Sequence, residues 1–257
     1  MIKFRKYLVE SEAVADMSGL DMEFIRRAEK VTAFNLTTKD FESVKNKQEI
    51  QFLFTKNFFP TFDSSNFLDK VDKTLLNNRI DTLKNKYKVN FSKLHKYPLK
   101  GVGPGEATMY YLINNAHLGG GASAGVDLVV GSKNYEIKAV DVSRDGYAKN
   151  FKVGGTFSLA SIISGLQELK KQTGGSGSEV NTGDLIKIRS QFPRELAKLE
   201  QEYVDLTYTN YFSKEEIIFI YNSGPNLGKV AAVKNVKKSD IKLERVTSGT
   251  IKPLVKI

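Results

Sequence analysis

The chain of 257 residues contains no cysteine, no tryptophan and two histidines, His95 and His117. Without thiols it cannot form disulfides, thiolate nucleophiles or cysteine-based zinc sites. The two histidines are not spaced as metal ligands, which disfavours a metal centre built on histidine. No apolar run approaches the ~20 residues that a helix needs to cross a bilayer, and the N-terminus lacks the apolar core of a secretory signal. We therefore expect no membrane-spanning segment.

Positive charge is in excess, with a net charge of +10 and a pI near 9.4. The excess is concentrated in residues 69–100 and 229–257, and the second stretch is a candidate arm for contacting phosphates. Such a balance favours a polyanionic partner. Charge alone does not distinguish DNA, RNA, an acidic protein or an anionic membrane, and a solvated face that aids solubility explains either stretch equally well.

The apolar spacing predicts a division of the chain into three regions. Residues 1–98 read as a mainly helical region, with helices expected near residues 24–31, 41–58 and 67–87. Residues 99–222 read as an α/β core, and residues 223–257 as a basic β or extended segment. Further predicted elements are helices over 158–171 and 184–208, the second interrupted at Pro193, a flexible break over 173–178, and strands over 216–221 and 229–236.

Residues 101–140 carry the most informative pattern. Glu106 opens a predicted helix after Pro104 and Gly105. Asp127 begins an apolar run, four loop-like residues (131–134) follow, and a second run carries Glu136 and Lys138. Since side chains alternate along a strand, residues i and i+2 share a face. A short hairpin would therefore bring Asp127, Glu136 and Lys138 together.

An ordinary structural interpretation of these residues stays open. Glu136 and Lys138 fit a solvated strand face, Asp127 fits a turn cap, and Glu106 suits a helix start for dipole reasons alone. Against this, an acid within the apolar run 126–130 either faces a cleft or incurs a desolvation cost. Two carboxylates beside a lysine suit a hard divalent cation and an activated water.

The order of helix acid, strand acid and Glu-x-Lys resembles the PD-(D/E)xK nuclease superfamily. The resemblance covers roughly residues 100–222, with Asp127 as the first acid and Glu136-Ile137-Lys138 as the ExK element. Val126 stands where the proline that gives the superfamily its name would be. Many members also lack this proline. The resemblance implies a restriction-endonuclease-like fold: a mixed β-sheet core flanked by helices in the order αβββαβ, here with an added N-terminal helical region.

The same resemblance implies a magnesium-dependent endodeoxyribonuclease. Asp127, Glu136 and the Ile137 carbonyl would bind Mg²⁺, for which Mn²⁺ would substitute, and Glu106 would hold a second metal or position a water. Lys138 would orient the attacking water or stabilise the transition state. The substrate would be double-stranded DNA, and a homodimer is expected if a one-site enzyme cuts both strands.

Four residues downstream of the ExK strand are candidate contacts to the nucleic acid. Arg144, Lys149 and Lys152 lie in a Gly-punctuated segment suited to phosphate binding. Gln167 occupies the later turns of the next predicted helix, where superfamily members often place a polar residue near the site. Each of these four side chains is also well explained as a plain surface group.

The first ten residues resemble the capsid-targeting peptides of internal head proteins in large tailed phages, with Leu8-Val9-Glu10 as the cut site. An ordinary opening strand or helix fits them too. The expected source is therefore a phage or a restriction system, acting in the bacterial cytoplasm or packaged in a virion with phage head components. The main alternative to the nuclease is a non-catalytic DNA-binding structural or internal head protein; a nuclease-like fold that binds without cutting is a further one.

Overall fold

The computed structural model describes residues 68–85, 95, 103–113, 116–118, 126–153 and 158–257. The predicted helices near residues 24–31 and 41–58, and the predicted targeting peptide, lie outside these ranges. The chain forms two compact units, divided within one strand between Ile137 and Lys138. The first unit holds the described residues up to Ile137 with Asn222–Val230, and the second holds Lys138–Tyr221 with Ala231–Ile257. The predicted three-region division stays a prediction, since most of its first region is not described.

The first unit contains two helices and an antiparallel strand arrangement. Its elements are α1 (Lys73–Asn85), α2 (Glu106–Leu112), β1 (Ala116–Leu118), β2 (Leu128–Val130) and the start of β3 (Lys133–Val142). Helix α1 confirms the helix predicted over residues 67–87 and buries Leu76, Ile80 and Leu83, which share one face at helical spacing. Strand β2 pairs antiparallel with both β1 and β3.

The predicted hairpin at residues 126–140 is confirmed, but its turn is tighter than the four-residue loop expected. Val130 pairs with Lys133, and Asn134 pairs with Val129, so Gly131 and Ser132 alone form the turn. Gly131 has a φ of 60°. Glycine adopts this left-handed conformation without the steric cost that a side chain would bring, and two-residue loops suit the twist of paired strands.

The second unit is a layer of strands packed against three helices. Its elements are the remainder of β3, β4 (Tyr147–Lys149), α3 (Ala160–Gln172), α4 (Thr182–Gln191), α5 (Pro193–Thr207), a π-helical turn (Tyr208–Phe212), β5 (Glu216–Tyr221), β6 (Val230–Lys234), a 3₁₀ turn (Lys238–Asp240), β7 (Ile241–Thr247) and β8 (Thr250–Lys256). The strand order β3-β4-β8-β7 is antiparallel, and β5 pairs with β3 and β6. The protein is thus of mixed α/β class with a mixed sheet.

One face of the second unit's strands supplies the core. The strand residues buried there include Val140, Ala148, Leu243, Val246, Ile251 and Val255. The helices contribute Ile162 and Leu166 from α3 and Leu196 and Tyr203 from α5 to the same cluster. No helix in the described ranges is both long and apolar enough to span a membrane.

The break predicted over residues 173–178 is present, but side chains fix it rather than leaving it flexible. The buried Lys170 donates from Nζ to the Glu179 carbonyl at 2.6 Å and pairs with the Asp184 carboxylate at 3.1 Å. Gln167 donates to the Ser178 carbonyl at 2.7 Å. Asp184 also closes a capping box with Asn181 at the start of α4. This lysine therefore ties the end of α3 to the start of α4.

Lys170→Met should lower the free energy of unfolding by about 2 kcal/mol at neutral pH, because it leaves a carbonyl and a carboxylate without their cation. Burial acts to raise the pKa of Asp184, but the Asn181 amide and the Lys170 ammonium together hold that pKa below its ordinary value. A depressed pKa contributes stability above the unfolded-state pKa of about 3.9, and this contribution is lost as the pH falls through the folded-state pKa. The penalty of Lys170→Met should therefore shrink below about pH 4.

Denaturant unfolding across this pH range measures the effect. Lys171→Met is the matched control, because the Lys171 side chain is 68% exposed and its Glu168 partner is 3.9 Å away. An exposed pair of this kind contributes at most about 0.5 kcal/mol. Equal penalties for the two variants would contradict the role given to Lys170.

Candidate active site

Glu106 is held at the start of α2 by the glycines before it. Gly105 has a φ of 87° at the N-cap position, and the Glu106 side chain is buried. A Cβ added to Gly103 would collide with the Glu106 carboxylate. The missing side chain at Gly103 therefore lets this acid lie against the backbone. The helix start predicted at Glu106 is confirmed.

The Asp127 carboxylate is fastened to the ExK strand. Its Oδ2 atom accepts a hydrogen bond from the Ile137 amide at 2.8 Å, and the Asp127 amide donates to the Tyr135 carbonyl at 3.2 Å. Asp127 directly precedes Leu128, which pairs with Tyr135. Asp127 therefore lies just before β2, hydrogen-bonded to Tyr135 and Ile137, the residues on either side of Glu136. The first acid therefore contacts Ile137, the middle residue of the ExK element.

The ExK residues lie on the middle of β3. Glu136 is 7% exposed and Ile137 is also buried, whereas Lys138 is half-buried. A carboxylate as buried as Glu136 requires hydrogen-bond donors or a cation nearby. In the second unit, the Lys138 ammonium lies 5.8 Å from the centre of the Tyr211 ring, within the range of a cation–π interaction. Tyr211 was not predicted, because nothing in its sequence context links it to Lys138.

The carboxylates of Asp127 and Glu136 are oxygen donors of the kind that divalent cations such as Mg²⁺ prefer. Within the ranges that the structure describes, no three His, Cys, Asp or Glu side chains lie close enough to form a metal-binding group. Glu106 therefore does not join Asp127 and Glu136 in such a cluster, and its catalytic role stays a prediction. Mg²⁺ is usually held by one or two carboxylates together with waters and substrate phosphates. Asp127 and Glu136 supply the two carboxylates that such a site needs.

The four predicted nucleic-acid contacts lie in the second unit. Arg144 is exposed in the turn between β3 and β4, and Lys149 is on β4 opposite Asp141. Lys152 is exposed just after β4. Gln167 lies on α3, where its amide binds the Ser178 carbonyl, which gives this residue a structural role.

No family model, curated protein or solved structure matches this chain.

Proposed function

We propose that the protein is a divalent-metal-dependent endonuclease that hydrolyses phosphodiester bonds of DNA, of the phage-encoded or restriction-like kind. The observation that carries the proposal is the 2.8 Å hydrogen bond from the Ile137 amide to the Asp127 carboxylate. It joins the first acid of the motif to the centre of its second element. Asp127 and Ile137, which the turn separates in the sequence, are thereby held close together, as metal binding by this motif requires.

Asp127 and Glu136 would bind the cation, with the Ile137 carbonyl as a further oxygen ligand. Bound Mg²⁺ or Mn²⁺ would supply Lewis acidity at the scissile phosphate and lower the pKa of water. Fixing Asp127 against β3 means that the acid does not need to reorganise when substrate arrives, which is the basis of electrostatic preorganisation. Burial of Glu136 lowers the local dielectric and strengthens its attraction to a cation.

Lys138 follows Ile137 on the same strand and would place its ammonium group near the scissile phosphate. There it would orient the attacking water and stabilise the negative charge that develops as the water oxygen bonds to phosphorus and the P–O bond to the leaving oxygen breaks. The lysine is suited to this role because its contact with Tyr211 restricts its side chain. Glu106 would position a water from the start of α2.

The order of elements supports a restriction-endonuclease-like core. Helix α2, strands β2, β3 and β4, helix α3 and strand β5 follow the expected αβββαβ order. Strand β1 and helices α4 and α5 are additions to that order. The weak strand expected near Phe151 lies slightly earlier, at Tyr147–Lys149.

Supercoiled plasmid DNA incubated with the full-length protein tests the proposal. We expect nicked or linear products with Mg²⁺ or Mn²⁺, and no cutting when EDTA removes the metal, because the cation would lower the pKa of the attacking water and stabilise charge on the phosphate. Gel electrophoresis measures both products. Plasmid that stays intact with either metal, yet shifts in mobility, would overturn the enzymatic proposal.

One observation favours a second candidate, a non-catalytic DNA-binding protein such as an internal head protein of a phage. The Asp127 carboxylate completes the hydrogen bonding of the hairpin. An acid at this position therefore has a structural purpose without any chemistry. A protein of this kind would bind DNA with a steep salt dependence and cut nothing.

A further inference from the structure

The strands β4, β8 and β7 have one apolar face and one basic face. Ala148, Val255 and Leu243 belong to the core cluster. Residues that alternate with them point away from this core. They include Lys149 on β4, Lys252 and Lys256 on β8, and Lys242 and Arg245 on β7, and the exposed Lys152 follows β4. We call these six residues and Tyr147 the basic face.

Strand register brings these side chains together. Tyr147 pairs with Lys256, and Arg245 pairs with Lys252. The ammonium groups of Lys242 and Lys256 lie 4.9 and 5.0 Å from the centre of the Tyr147 ring. Adjacent strands are about 4.8 Å apart, so the three strands present a cationic surface about 10 Å wide. Lys149 and Lys152 thus share one surface with residues almost a hundred positions later in the chain.

Few carboxylates lie beside the basic face. Strands β4, β7 and β8 contain one acid, Glu244, and Asp141 on the neighbouring β3 pairs with Lys149. Within the described part of the chain, none of the six cations forms an ion pair. Other cations of the second unit do so: Lys170 binds Asp184, Lys234 binds Asp240 and Lys238 binds Asp205.

The cations of this face also affect one another. Burial first, and then the neighbouring charges of Lys152 and Arg245, lower the pKa of Lys252, while the charge of Glu244 acts to raise it. Like charges held this close repel each other in the free protein. An anionic ligand that contacts several of them would relieve this repulsion, and each ammonium contact to a phosphate would also release counterions.

We infer that the basic face binds the phosphate backbone of nucleic acid, without reading its sequence. A phosphodiester backbone carries closely spaced charges along a line, which suits cations distributed over three neighbouring strands. The face contributes one aliphatic side chain, Leu254, among its charged residues, so it lacks the apolar residues that insert into a membrane. Binding here does not require cutting and holds for either candidate function.

The experiment measures the anisotropy of a labelled duplex DNA of about 20 base pairs with the full-length protein over a range of NaCl concentrations. The test variant combines Lys149→Gln, Lys242→Gln and Lys252→Gln, because the side chains of these three lysines donate no hydrogen bond within the described residues. Its Kd near 0.1 M NaCl should rise at least about tenfold, and the salt slope should fall by about two to three, because three phosphate contacts are lost.

A matched control removes the same charge elsewhere. Lys171→Gln, Lys187→Gln and Lys198→Gln change exposed lysines on α3, α4 and α5. This variant should raise the Kd by less than about threefold, since it changes only the long-range field. Equal weakening by both triple variants would overturn the inference, as would a wild-type protein that binds anionic vesicles but not the duplex. A plasmid left uncut while the basic-face variant alone loses DNA affinity would support it and reject only the nuclease proposal.

Discussion

Asp127→Asn is expected to reduce DNA cleavage on the order of a thousandfold while leaving the fold intact. Asparagine has nearly the same shape as aspartate, and its Oδ1 atom can accept the hydrogen bond that the Ile137 amide now donates to the carboxylate. What the substitution removes is the negative charge that would bind the cation. Cleavage of plasmid DNA, measured beside thermal unfolding, separates these two consequences.

Asp127→Ala is the matched comparison, because it removes both the charge and the acceptor. We expect it to lose cleavage as fully as the asparagine variant, and to lower the free energy of unfolding by about 1–2 kcal/mol through the amide left without its partner. An asparagine variant that cuts as fast as wild type would show that Asp127 is only a structural acceptor. The cation that supports cleavage would then have to be held by residues other than Asp127.

Local signals in the sequence were sufficient to predict the elements that carry the candidate site. Pro104 and Gly105 mark the start of α2, and alternation predicts the strand that carries Glu136 and Lys138. The β-rich run at residues 216–221 coincides with β5, Glu216–Tyr221. Pro193 separates two helices as expected and begins α5. In each case the signal lies within a few residues of the feature it predicts, so no tertiary information is needed.

Features that depend on contacts between distant residues were missed. The Gly- and Ser-rich stretch after α3 has the composition of a flexible linker. The structure fixes it through Lys170, whose partners follow nine and fourteen residues later. Composition describes what a segment does alone, whereas a buried ammonium group provides hydrogen bonds that depend on the packing of α3 and α4. The link between Lys138 and Tyr211 was missed for the same reason.

The basic residues were predictable from the sequence in part and missed in part. The C-terminal excess of lysine and the cations after the ExK strand were each visible in the sequence. Their common surface was not, because it depends on β8 pairing with both β4 and β7. The C-terminal segment, predicted as β or extended, contributes the strands β7 and β8 to the second unit, since residues 241–256 alternate apolar and polar side chains and bury one face.

Lys138→Met should lower kcat for DNA cleavage by about 10²–10³, with DNA affinity changed by less than about threefold. Methionine keeps an unbranched apolar chain beside the Tyr211 ring, so the packing of β3 should persist. It removes the ammonium group that would stabilise charge in the transition state. Because such an interaction is made only in the transition state, the loss should be seen in kcat rather than in binding. Single-turnover cleavage and anisotropy measure the two quantities.

Two controls determine whether the effect belongs to the position of this ammonium group. Lys133→Met removes the same charge from the exposed start of β3 and should leave kcat within about twofold of wild type, since exposed charges are largely screened.

The second control changes Tyr211. Tyr211→Phe keeps the ring and should retain activity, whereas Tyr211→Leu removes the ring face that lies 5.8 Å from the lysine and should lower kcat by about tenfold. Loss of activity in Lys133→Met equal to that in Lys138→Met would mean that general charge, rather than a positioned lysine, supports cleavage. If instead the Lys138 and Tyr211→Leu variants alone are slow, the lysine acts at the reacting phosphate and the tyrosine positions it.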